Sequence, residues 1–379
     1  MHDDERVVIG GVDAHADTHE AAVLDRRGAL LGSRRFATTF AGYGELLAWM
    51  RGLGHVEVVA VESTGAYAAG LTRYLREHGM AVIEVNQPHA HTRRRRGKSD
   101  AIDAELAARL VLAGKATTVP KQTDGIVESI RLLRVAGASA VKARSAALVQ
   151  LGELIITVPQ ELREHLAQRT TIRGKATLCR RLRPAGGLER PMQAAKQALR
   201  SLARRIEILD AEIAEFDIEL EQLVRTAAPR TTRLLGISTG HAGQLLVTAG
   251  QNIDRLRGDG AFAAICGANP IPASSGRTTR HRLNYGGDRD ANRALHMIAV
   301  CRLRYCHRTR AYAQRRAAEG KTKPEIIRCL KRYIARETYH TLQADLADLT
   351  TRGRPRHAVA ITCGAGFIGR TRHTPPHAA

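Results

Sequence analysis

The segment KSDAIDAELAAR, residues 98–109, follows the run TRRRRG and sets Asp100 and Asp103 three residues apart among alanines, leucines and an isoleucine. Positions i and i+3 share one face of a helix, so these two carboxylates stand close together and repel. A divalent cation removes that penalty, and hard carboxylate oxygens suit Mg²⁺ or Mn²⁺. Two further acids extend the set: Asp13 in GGVDAH and Glu62 in AVEST, each closing an apolar run that reads as a strand. Acids ending adjacent strands converge at one edge of a sheet, where a packed helix can complete a four-carboxylate cage. Metal held in that way orients a nucleophile and stabilises the attacking and leaving oxygens of a phosphodiester. Taken singly, each acid also has a structural reading: a turn-forming Asp, a rim Glu, an Asp matching a helix N-terminus.

A second constellation lies in PASSGRTTRHRLNYGGDRDANRAL, residues 272–295. Ser274 and Ser275 sit on a Pro- and Gly-bounded loop, followed by Arg277, Arg280, His281 and Arg282. Ser275 can act as a nucleophile toward phosphorus while the guanidinium groups stabilise charge on the phosphoryl oxygens. The general base is His281 or a metal from the acidic set, and the second choice requires the two regions to meet. A tight turn with solvated arginines is the alternative.

The formal net charge of +22 in 379 residues calls for a polyanionic partner, either nucleic acid or an anionic membrane. No apolar run has the length of a membrane span, and MHDDERVV lacks a signal-peptide pattern, so nucleic acid in the cytoplasm, at the nucleoid, is the expectation. Arg93, Arg94, Arg95, Arg96 and Lys98, together with Arg277, Arg280 and Arg282, are the candidate backbone contacts. The six cysteines form no CxxC pair and no metal-finger spacing, and read as free thiols in a reducing compartment.

Positioning these residues takes several elements. VVIGGV, HEAAVLD and ALLGSRRF read as three strands, the last two joined by the turn DRRG. A helix near 44–51, the strand VEVVAVE, a helix near 67–78, the strand MAVIEV and the helix carrying Asp100 and Asp103 follow. Three strands, helix, strand, helix, strand, helix is the element order of an RNase H/RuvC-like mixed-sheet domain, assigned here to residues 1–123. Residues 124–228 read as a helical arm interrupted by an Arg-, Gly- and Pro-rich loop at 169–191. Leu199, Leu202, Ile206, Leu209, Ile213, Phe216, Leu220 and Leu223 form a heptad seam there, predicted to pack in an antiparallel hairpin that also contributes to dimerisation. Residues 229–348 read as a small, mainly helical domain, and 349–379 as a basic, flexible tail. The class is therefore α/β plus α.

GGVDAHADTHEAAVLDRRG, VESTGAY and KSDAIDAELAAR resemble the first acid, the EATG-type glutamate motif and the KTD-x-x-D motif of the insertion-sequence one-ten family of DEDD transposases. GISTGHAGQLLVTAG and FAAICGANPIPASSGRTTRHRLNYGGDRDANRAL resemble that family's C-terminal domain, whose serine precedes a glycine as Ser275 precedes Gly276. The resemblance implies a RuvC-like domain carrying Asp13, Glu62, Asp100 and Asp103 with Mg²⁺, a coiled-coil arm, and a helical domain supplying Ser275. It further implies a composite site between subunits, a transient phosphoserine link to DNA, and strand exchange between element ends and target. A structured guide RNA and homo-oligomers, dimeric and then tetrameric in synapsis, are also implied. One departure stands out: Leu-Gly-Ile-Ser at 235–238 replaces the family's PGIG or PGVG, and Ser238 is expected to restrict any phosphate approaching that turn.

Two other readings remain open at this stage. A structure-specific endonuclease would use the same four acids to activate water, leaving Ser275 idle. A basic nucleic-acid-binding protein with a decayed nuclease domain would lack one of the acids, and all four are present.

Overall fold

The computed structural model describes residues 6–85, 99–276 and 281–353. Arg93, Arg94, Arg95, Arg96, Lys98, Arg277 and Arg280 lie outside them, as does most of the C-terminal tail.

The N-terminal region is built on a five-stranded sheet in the order β3-β2-β1-β4-β5. Its strands are β1 (Val7–Ala14), β2 (Thr18–Asp25), β3 (Leu30–Ala37), β4 (His55–Glu62) and β5 (Val82–Val85). The hairpins β1–β2 and β2–β3 are antiparallel, while β4 and β5 run parallel to β1. Strand β1 is central and buried along nearly its whole length, which its continuous apolar run VVIGGV requires. Alternation sorts its side chains onto two faces. Val8 and Val12 pack with Leu46 and Met50 of α1 (Phe40–Leu53) and Leu71 and Leu75 of α2 (Ala69–Glu77). Ile9 packs on the other face with Ala108 of α3 (Asp100–Leu112). This is the RNase H-like arrangement predicted from the element order.

Two long helices form the arm, α4 (Gly125–Thr157) and α7 (Pro191–Ala227). They run antiparallel: Gly137 lies against Phe216, and Arg144 pairs with Asp210 at 2.9 Å. Gly137, Ala140 and Ala147 give α4 a narrow face that lets α7 approach. The heptad positions are unevenly covered. Leu199 and Ile206 are buried, but Leu209, Ile213, Phe216 and Leu220 are only half-buried, because a lone helix pair cannot enclose the middle of its seam.

The expected loop at 169–191 is corrected by the structure. Residues Ile172–Arg181 form a helix, α6, which with α5 (Gln160–Ala167) closes a small core of Leu151, Leu162, Leu166, Cys179 and Leu199. Thr171 caps α6 by accepting from the Gly174 N–H, and Leu178 and Cys179 supply the apolar side that the Arg-rich composition obscured.

The C-terminal region comprises α8 (Thr239–Ala249), α9 (Asp259–Ile265), the short hairpin β6 (Ile271–Pro272) and β7 (His281–Arg282), α10 (Arg289–Tyr305), α11 (His307–Ala318) and α12 (Lys323–Gly353). Its core gathers Phe262, Leu245, Leu246, Leu295, Ile298 and Leu342, and it also takes in Val127 and Ile130 of α4 and Val224 of α7. Asp345, 1% exposed, fastens the chain entering this region: it accepts from the backbone N–H groups of Arg230 and Thr231 and from the Thr231 hydroxyl. Among the described residues, no helix is long and apolar enough to cross a membrane.

Candidate active site

Gly11, two residues before Asp13, is the position that lets a helix descend onto the sheet. A Cβ there would strike the Ala104 carbonyl and the Ala108 backbone, so only glycine admits α3 at this distance. Helix α3 meets β1 through Ala104 and Ala108 and packs Ala107 with Ala60 of β4 and Val85 of β5, all three of its alanines buried. Its first turn therefore comes down beside the end of β1. Ser99 caps the helix by accepting from the Ile102 N–H, and the N-terminal end of the helix dipole favours the two acids that follow.

The result is a cluster. The ligand atoms of Asp13, His15 and Asp100 all lie within 4.8 Å of one another. His15 Nε2 is 3.2 Å from Asp13 Oδ2 and 3.4 Å from Asp100 Oδ1. Burial pushes the Asp13 carboxyl up from its ordinary pKa; the His15 ring opposes this, and the charges of Asp103 and Asp100 push it further up. The ligand distances place Asp100 beside Asp13, and Asp103, one helical turn further along α3, is only 2% exposed. A part-buried carboxyl pushed up by the charges of two neighbouring carboxylates belongs to the kind of oxygen-rich set that a hard divalent cation neutralises. The donor set thus fits a metal, with Asp13 and Asp100 able to hold it and His15 offering a nitrogen.

Glu62 closes β4 next to this point. The parallel register pairs Val12 with Val61, which sets the backbones of Asp13 and Glu62 side by side at one sheet edge. The chain then turns through Ser63 in the left-handed region, at φ 58°, a conformation costing of order 1 kcal/mol that recurs at functional sites. The three-atom group that meets the ligand distance comprises Asp13, His15 and Asp100, and does not include Glu62.

Three residues escaped the sequence reading. His15 lies two positions beyond Asp13, and the spacing Asp-x-His was its available signal. Glu20, 8% exposed, faces Asp13 across the antiparallel pair β1–β2. Its carboxylate accepts from Arg35 Nε at 3.0 Å, and Arg35 Nη2 is also 3.7 Å from Asp100 Oδ2. Strand pairing alone brings Asp13, Glu20 and Arg35 together, so linear spacing carried no signal for Glu20 or Arg35.

Ser275 is presented differently. It is exposed, on a loop closed by a two-residue ladder pairing Ile271 with Arg282 and Pro272 with His281. Below the ladder the loop is anchored by amides. Asn284 donates to Asn269 Oδ1 and the Ala264 carbonyl, and Asn292 donates to the carbonyls of Cys266 and Gly267. Asp288 caps α10 through one oxygen and accepts from Thr248 through the other. Arg282 and His281 are exposed at the ladder.

At the Leu-Gly-Ile-Ser turn, Gly236 has φ 82° and Ser238 is the N-cap of α8. Ser238 Oγ accepts from the His241 N–H while His241 Nδ1 accepts from the Ser238 N–H, a reciprocal capping box. Those two N–H groups are thereby engaged, and burial lowers the His241 pKa.

Residues 10–157 match the family model for the IS110-type DEDD transposase, described as Transposase. Residues 229–314 match the model described as Transposase IS116/IS110/IS902 family. No curated protein matches the chain. The first match contains Asp13, Glu62, Asp100 and Asp103 and the second contains Ser275, in the order the motifs predicted, and the chain belongs to the IS110 family of DEDD transposases.

Proposed function

We propose that this transposase, an enzyme acting on DNA, cleaves and rejoins strands through a covalent serine–DNA intermediate, with Asp13, Glu62, Asp100 and Asp103 holding Mg²⁺ or Mn²⁺. The observation that carries the proposal is the meeting of Asp13, His15 and Asp100 at one sheet edge, with Asp103 buried beside them. A divalent cation bound there supplies positive charge to the phosphoryl oxygens and to the leaving oxygen. Ser275 Oγ attacks phosphorus, forming a phosphoserine ester as the bond from phosphorus to the departing DNA oxygen breaks. The serine proton passes to a base, for which His281 stands on the same hairpin, and the released oxygen becomes a DNA hydroxyl. A hydroxyl from another strand then attacks the ester, freeing Ser275 and joining that strand. Arg277, Arg280 and Arg282 neutralise the phosphate during both steps.

In this reading residues 1–123 are the nuclease domain, 124–228 a coiled-coil arm, 229–348 the serine domain and 349–379 a basic tail. The arm's half-buried seam supports a homo-oligomer in which one site draws on two subunits. A structured guide RNA, paired with donor and target DNA, accounts for part of the +22 charge, and Arg93, Arg94, Arg95, Arg96 and Lys98, just before Asp100 in the sequence, contact the nucleic-acid backbone. A hydrolytic endonuclease is favoured by one observation, the exposure of Ser275 outside the acid cluster.

Asp100→Asn tests the metal assignment. It should abolish Mg²⁺-dependent cleavage of end-labelled junction DNA while binding changes little. Cleavage by Asp100→Asn at the wild-type rate would rule the carboxylate cage out.

A further inference from the structure

The C-terminal region encloses a cavity of about 560 Å³ between the base of the serine hairpin and helices α11 and α12. Its walls are strongly basic. Arg282 enters from β7, and Lys321, Arg328 and Lys331 from the chain at and before α12. Among the described residues, none of these four forms an ion pair with a carboxylate. Glu325 is the one acid among the lining residues, and it already accepts from the backbone N–H and the hydroxyl of Thr322. Outside the lining, Asp259 takes Arg332 at 2.9 Å and Arg336 at 3.9 Å.

Lys331 is the unusual member, because it is 5% exposed and still faces no anion. Its Nζ donates to Asn292 Oδ1 at 2.6 Å. The Asn292 amide is fixed in that orientation, since its Nδ2 donates to the carbonyls of Cys266 and Gly267 at 2.9 and 2.8 Å. One neutral acceptor therefore serves an ammonium group with three donors. Burial, with Arg328 nearby, lowers the Lys331 pKa, which is the mark of a cation held away from both water and counter-charge. Such a group is costly to keep unless an anion arrives to meet it. The same cavity carries Tyr312 and Tyr333, packed edge to face at 5.5 Å, and Tyr333 is 56% exposed. An aromatic face beside cations is the pairing that single-stranded nucleic acid uses, stacking a base while its phosphate is neutralised.

We propose that this cavity seats one nucleotide of the DNA strand that Ser275 attacks, with the phosphate on Lys331, Arg328 and Arg282 and the base on Tyr333. Only the identity of the strand rests on the serine reading above; the seat itself stands on the cavity and its cations.

The test is binding of a fluorescein-labelled single-stranded DNA dodecamer to the full chain in EDTA, titrated across a salt series. Lys331→Gln keeps a donor for Asn292 and removes the charge. It should raise Kd about tenfold at low salt and flatten the slope of log K against log salt by about 0.7, the value of one single-strand phosphate contact. Its Tm should not fall. Arg328→Gln should flatten the slope by the same amount, which keeps the test decisive if Lys331→Gln does not fold. Tyr333→Ala should weaken binding with the slope unchanged. Wild-type Kd and slope in both charge variants would overturn the proposal, as would an effect confined to an RNA dodecamer of the same sequence. The assay needs no cleavage, so a missing serine adduct would leave its result standing, and a failed seat would leave the adduct untouched.

Discussion

Asp13 and Asp103 are nearly buried, one on the central strand of a five-stranded sheet and the other on a helix seated against it through alanines. Ser275 stands exposed on a loop closed by two residue pairs. The acid cluster is thus held by layers of packing, whereas the serine is held by a few amide hydrogen bonds at the foot of its hairpin. The contrast matches the two tasks proposed for them. Carboxylates must be spaced before a metal can bind them, and only rigid elements fix positions that closely. A nucleophile that must reach a strand, leave with it and release it works from a loop.

Substitutions in the two regions should therefore fail in different ways. The largest effect is expected at Gly11→Ala, where the new methyl meets backbone of α3. It should destabilise the N-terminal region by about 3 kcal/mol, the upper end for overpacking, and abolish cleavage, as thermal melting and junction cleavage would show. Retained cleavage would mean that α3 can sit higher on the sheet without loss. Next is Glu20→Gln, which releases Arg35 toward Asp100. Cleavage should slow by roughly 10–100-fold, as for other groups that orient metal ligands, with the melting temperature little changed.

On the loop, effects should be smaller in stability. Gly276 has φ 54° and, among the described residues, nothing near where a Cβ would go, so Gly276→Ala meets the backbone penalty of about 1 kcal/mol. Serine-dependent cleavage should slow several-fold while the melting temperature falls by only about 2–4 °C. Ser238→Ala removes the α8 cap and should cost about 1 kcal/mol, and Ser238→Gly only a few tenths. A Ser238→Gly variant that binds DNA more tightly than wild type would show that the engaged N–H groups of this turn had been blocking a phosphate.

The same contrast separates what the sequence revealed from what it concealed. The order of elements along the chain and the face shared by Asp100 and Asp103 followed from local period and spacing, because buried strands and a capped helix announce themselves along the chain. His15, Glu20 and Arg35 did not, since their meeting depends on strand register and on the loop after β1. The helix Ile172–Arg181 was hidden by its arginines, which lie on its solvent side. Leu151 on α4 and Leu199 on α7, which share its core, lie 20 or more residues from Cys179 in the chain. Lys331 was hidden for the opposite reason: in KRYIAR it looks like one more surface cation, and only its burial beside Asn292 distinguishes it.

The most direct test of the central claim is the state of cut DNA ends. The protein, Mg²⁺, RNA from the element's non-coding flank and end-labelled junction DNA would be incubated, denatured and resolved for label attached to protein. Serine chemistry predicts a covalent adduct that is present in wild type and absent in Ser275→Ala. Free DNA ends with no adduct at any time point would contradict it and leave the four acids working as a hydrolytic nuclease.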